Sequence, residues 1–108
     1  MPYRSWEFRI DDIIEAIEKI NRYTRGINFD EWQQDEKTVD AVVRNIEVIG
    51  EAASHLPIEI QEQYQDIPWN MMKGIRNVLA HEYFGIDLKI VWKTVKKDLP
   101  GLKKLLQK

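Results

Sequence analysis

A chain of 108 residues with 44% hydrophobic and 31% charged side chains has the balance of one soluble globular domain with a single core. It contains no cysteine, which excludes a disulfide framework, a thiolate nucleophile and a cysteine-based zinc site. No apolar run approaches bilayer length, and Met1-Pro2-Tyr3-Arg4-Ser5-Trp6-Glu7 lacks the apolar core of a signal peptide, so a cytoplasmic protein is expected.

Ser5 with Glu7 suits the start of a helix that runs to about Arg25, where Gly26 stops it. Ile10, Ile13, Ile14, Ile17 and Ile20 keep helical spacing, while Asp11, Asp12, Glu15, Glu18 and Lys19 belong to the solvent side. The connector Gly26–Asp30 leads to Glu31-Trp32-Gln33-Gln34, which reads as a helical turn of its own. A second long helix covers about Asp35 to Leu56, with Val39, Val42, Val43, Ile46, Ile49 and Ala53 as its core stripe. Gly50, Ala52 and Ala53 remove bulk at one level of it, which favours close approach of another helix. Arg44 and Asn45 interrupt it with polar groups that belong either to the surface or to a functional cleft.

Pro57 starts a short helix from Ile58 to about Tyr64. Asp66-Ile67-Pro68-Trp69 then opens a helix that ends near Gly85, and Asp87 caps the last one. That last helix carries Leu88, Val91, Trp92, Val95 and Leu99, and Pro100-Gly101 is expected to break or kink it. Nothing alternates with period two. The expected fold is therefore all-α: an up-and-down bundle of four main helices plus short ones. Trp6, Trp32, Trp69 and Trp92 read as core or interface anchors.

Charge is unevenly spread. Residues 89–108 hold seven lysines against one acid, Asp98, a balance of +6 that leaves −8 on residues 1–88 of a chain with net charge −2. Such a segment suits a nucleic-acid patch. It also suits a solvated terminal helix whose lysines favour the negative end of the dipole, and lysine without interleaved arginine favours this second reading.

The chemistry concentrates in Ile75-Arg76-Asn77-Val78-Leu79-Ala80-His81-Glu82-Tyr83-Phe84. At about 100° per residue, Met71, Met72, Ile75, Val78 and Leu79 share one face. Asn77, His81 and Phe84 share the opposite one, and Arg76 and Tyr83 lie on the border. Imidazole moves protons near neutral pH, guanidinium holds a phosphate, and Asn77 could orient the ring or bond a phosphate oxygen. This set suits cleavage of RNA by its own 2′-hydroxyl. That reaction wants two proton-transfer groups, and the motif offers one His. The chain's other one, His55, sits in Ser54-His55-Leu56-Pro57, which reads as helix-terminus chemistry. A two-fold dimer would bring two His81 and two Arg76 to one cleft. Phe84, apolar on a polar face, fits a face that meets a partner. The alternatives are a hydrogen-bonding surface or interface histidine and a tyrosine that packs its ring. No His/Glu spacing makes a convincing metal site, and no Gly-rich phosphate loop is present.

Arg76-(four residues)-His81-Glu82-Tyr83 resembles the R-x4-H-x-Y motif of HepT-like toxins of the HEPN superfamily. Asp11–Ile17, Arg44–Ala53, Ile67-Pro68-Trp69, Gly74–Asn77 and Val91–Pro100 are similar to the same family, in the same order. The resemblance implies a helical HEPN fold, a homodimer, and a metal-independent endoribonuclease needing no cofactor, with its cleft at the dimer interface. It implies that Arg76 and His81 are catalytic, with Asn77 in support; Arg44, Asn45 and Glu51 are, from the sequence itself, further candidates for the cleft. It also implies a toxin–antitoxin pair of type VII, in which an MntA-like nucleotidyltransferase transfers AMP to Tyr83. Phosphate on Tyr83 would repel RNA and block Arg76. A non-catalytic binding partner of such a transferase is the second reading.

Overall fold

The computed structural model describes residues 6–70, 72 and 87–107. All regular structure among them is helical. Helix α1 (Trp6–Thr24) buries Ile13, Ala16, Ile17 and Ile20, the positions that the isoleucine spacing assigns to one face. It ends on Thr24, whose hydroxyl donates to the carbonyl of Ile20 at 2.9 Å. Gly26 comes next with φ 77°, a left-handed conformation that leaves a glycine unstrained and stops the helix.

The short connector is more ordered than its composition suggests. Helix α2 (Phe29–Gln34) opens with a reciprocal capping box. The Asn28 side chain accepts from the Glu31 amide at 2.8 Å, and the Glu31 carboxylate accepts from the Asn28 amide at 3.0 Å. Asp35 then caps helix α3 (Glu36–Ser54), its carboxylate accepting from the Thr38 amide and, at 2.6 Å, from the Thr38 hydroxyl. Helix α3 buries Val42, Ile46, Ile49, Gly50, Ala52 and Ala53 and packs chiefly along α1.

Pro57 precedes helix α4 (Ile58–Gln63), and Ile67, Trp69 and Met72 continue the core beyond it. Trp69 and Asn70 are again helical, as the Ile67-Pro68-Trp69 signal anticipates. Asp87 caps helix α5 (Leu88–Lys93), accepting from the Lys89 amide at 2.9 Å.

The end of the chain departs from expectation. Pro100-Gly101 does not break the helix; a π turn over Thr94–Asp98 joins α5 directly to helix α6 (Leu99–Leu106). Proline has no N–H to give and crowds the carbonyl one turn back. Here Pro100 falls in the first turn of α6, where a missing donor costs little. The π turn also adds a residue to one turn, so the side chains of α6 are set back by about 100° around the axis. Leu99, Leu102 and Leu106 belong to the same core as Val91 and Val95. Helix α6 packs against α1, and α2 bridges α3 and α5.

The predicted Ser5 start of the first helix, and the helix carrying the central motif with its end near Gly85, lie outside the described residues.

Candidate functional site

Arg76, Asn77, His81 and Tyr83, with Met71, Ile75, Val78, Leu79, Glu82 and Phe84 of the projected faces, also lie outside the described residues. The structure gives the frame on either side of residues 73–86. Upstream, the Trp69 indole N–H is shared between the carbonyls of Gln61 and Tyr64, at 3.1 Å from each. Trp69 is buried, as are Ile67 and Met72, and the Met72 amide donates to the Pro68 carbonyl at 3.1 Å. Indole burial plus a directed hydrogen bond fixes both the depth and the rotation of this corner. Downstream, the Asp87 cap and buried Val91 fix where α5 begins.

The cleft residues divide. Arg44 and Glu51 lie on one open groove of about 380 Å³ between α1 and α3, together with Arg9, Asp12, Glu47, Val48 and Ala52. Asn45 is turned away from it. It is buried, and its amide donates to the Ala41 carbonyl one turn back at 2.8 Å. Arg44 is exposed and Asn45, about 100° further round the helix, points into the bundle. The groove mixes two guanidiniums with three carboxylates, a balance that does not draw a polyanion. Arg9 and Asp12 join it from α1. Their i, i+3 spacing was visible in the sequence, but their facing of Arg44 and Glu51 depends on how the two helices pack.

His55 is the C-cap of α3, with Nδ1 2.8 Å from the Glu51 carbonyl and 3.5 Å from its carboxylate. A carbonyl only accepts, so that bond requires the proton on Nδ1. This is helix-terminus chemistry, as its sequence setting suggests. Among the described residues, no three His, Asp or Glu side chains are grouped to hold a metal ion. Nor is any helix among them long and apolar enough to cross a membrane.

The helical frame brackets an Arg/Asn/His/Tyr segment, which defines an all-α protein with one concentrated polar motif. Comparison with known proteins is specific. The model of the "Ribonuclease HepT-like" family matches residues 13–108. "Probable ribonuclease HepT" of Thermococcus cleftensis is 44% identical over 105 residues, 97% of this chain and 96% of that protein. "Putative RNase MJ1380" of Methanocaldococcus jannaschii is 39% identical over 93 residues, 86% of this chain and 85% of its own. "Putative RNase TTE0752" of Caldanaerobacter subterraneus subsp. tengcongensis is 37% identical over 95 residues, 88% and 85% of the two chains. No solved structure matches. The chain belongs to the HepT-like ribonuclease family.

Proposed function

We propose that this protein is a metal-independent endoribonuclease whose catalytic groups are Arg76 and His81. The observation that carries the reading is an intact Arg76-x4-His81-x-Tyr83 motif inside a near full-length family match. In the proposed reaction the 2′-hydroxyl of RNA attacks the adjacent phosphorus. Its proton leaves to a base, the bond to the 5′-oxygen breaks, and that oxygen takes a proton from an acid. His81 serves proton transfer, Arg76 stabilises the charge gathering on the phosphoryl oxygens, and Asn77 supports the phosphate. One His per motif against two proton transfers favours a homodimer that places two motifs at one cleft.

Tyr83 is proposed as the acceptor of AMP from an MntA-like nucleotidyltransferase antitoxin, which supplies the nucleotide chemistry for which this chain has no phosphate loop. The phosphodiester it leaves on Tyr83 would repel RNA beside Arg76. The protein would then be the toxin of a type VII system, acting in the cytoplasm.

The test is RNA cleavage by purified, unmodified protein in excess EDTA, with His81→Ala alongside. Cleavage in EDTA that His81→Ala abolishes, with the oligomeric state unchanged, supports the reading. Cleavage that survives in His81→Ala overturns the catalytic assignment. A mass gain in AMP units on incubation with the transferase and ATP, with no cleavage by the unmodified form, favours a non-catalytic substrate protein instead.

A further inference from the structure

We propose that the outer face of the α5–π–α6 helix is a binding rail for the backbone of single-stranded RNA, built from Lys89, Lys93, Lys97 and Lys104. The inference rests on the RNA reading above for its ligand. All four side chains are exposed, and none makes an ion pair among the described residues. The other two lysines of the described helix are engaged elsewhere. Lys96 lies 4.7 Å from the centroid of the Trp92 ring and 3.5 Å from the Thr24 carbonyl, and Lys103 pairs with Glu18 at 3.6 Å. The sequence shows seven lysines in this segment; the structure separates Lys96 and Lys103, which contact neighbouring groups, from the four that do not.

Leu99, Leu102 and Leu106 join Val91 and Val95 in the core, so the opposite side of the helix faces away from it. With one residue set back at the π turn, the four lysines fall within about 80° of one another. They span about 22 Å along the axis, at 1.5 Å per residue. Lys89, Lys93 and Lys97 succeed one another at intervals of about 6 Å, near the spacing of successive phosphates on a single strand. The helix dipole suits Lys104, in the last turn of α6, but not the start of the line. Lys89 lies in the first turn of α5, the end that disfavours a cation. Asp98, the acid of this segment, is half-buried. A line of cations without anions fits a linear polyanion better than a protein surface, which alternates sign.

The experiment compares the wild type with a Lys89→Gln/Lys93→Gln/Lys97→Gln/Lys104→Gln variant and with the matching four-fold Lys→Arg variant. The probe is a labelled 2′-O-methyl oligouridine of about 20 nucleotides, read by fluorescence anisotropy at several salt concentrations. Lacking the 2′-hydroxyl nucleophile, it reports binding without cleavage, so the rail stands or falls independently of the catalytic assignment. Four phosphate contacts predict that the Gln variant lowers the slope of log K against log salt by about 3, and weakens binding at least ten-fold at low salt. The Arg variant should keep both. A wild type that does not bind the probe at low salt overturns the rail, as does a Gln variant with unchanged slope. A change in oligomeric state with the RNA slope intact also overturns it, and assigns the lysines to an acidic protein surface.

Discussion

The indole of Trp32 lies 5.0 Å from that of Trp92, centroid to centroid, and the pair ties α2 to α5 across the bundle. Phe29 sits 6.1 Å from both rings. Trp32 is fully buried, yet its Nε1–H finds no acceptor among the described residues. The aromatic contact is worth about 0.5–1.5 kcal/mol beyond burial, whereas an orphaned buried donor costs about 1–3 kcal/mol. Trp32→Ala should therefore lose about 3–5 kcal/mol by urea denaturation, the usual range for emptying a buried aromatic site. Trp32→Phe loses ring area but also discards the orphan donor, so its loss should be less than half as large. Equal losses in the two variants would mean that the N–H is satisfied in solution.

Trp69 presents the opposite case, since its N–H has two acceptors on the turn before it. Trp69→Phe should cost about 1–2 kcal/mol, chiefly through that bond. Because Trp69 stands seven residues before Arg76, the same change should slow RNA cleavage at a temperature where the variant is fully folded. Unchanged cleavage in the folded variant would show that the anchor serves stability alone.

Which of these features the sequence discloses depends on how local their causes are. The isoleucine face of α1, the Gly26 stop and the Asp87 cap depend on a few neighbouring residues, and each stands where its pattern puts it. The Asn28–Glu31 capping box was equally local, but it read as a connector because Gly26 and Asn28 carry the stronger turn signal. The π turn has no compositional mark: Pro100 announces a discontinuity, but a hydrogen-bond shift upstream absorbs it without a break. Arg44 and Asn45 looked alike in sequence and separate only once α1 covers one side of α3. The motif itself is read from residue type, spacing and the family match, and its chemistry stands as a proposal.

The Asp35 cap makes the start of α3 sensitive to acid. The Thr38 hydroxyl bond, followed by the Thr38 amide bond, holds the Asp35 carboxyl below its ordinary value. A carboxyl lowered in the folded state contributes stability above its unfolded pKa, and that contribution is lost as pH falls through the lowered value. Amide exchange at Lys37 and Thr38 should therefore quicken in that acid window. Thr38→Val removes the larger cause, so the Asp35 titration should move back up toward the ordinary carboxylate range by NMR. Asp35→Asn keeps an acceptor without a charge and should flatten the local pH response.

The proposed shared cleft makes a sharper demand on Arg76 and His81 than single substitutions do. On a regular helix the two differ by about 140° in direction, so one phosphate is reached more readily by Arg76 of one protomer and His81 of its partner than by both from one chain. Arg76→Ala and His81→Ala should each be inactive as homodimers. Mixed after subunit exchange, they form heterodimers that retain one Arg76 and one His81 on opposite protomers. Cleavage should then return to a fraction of the wild-type rate. Its appearance should track the heterodimer population, monitored by native mass spectrometry of differently tagged chains. Heterodimers that form and remain inactive would mean that one Arg76 and one His81 on opposite protomers do not suffice, because the cleft needs either both His81 side chains or an Arg76 and a His81 from the same chain.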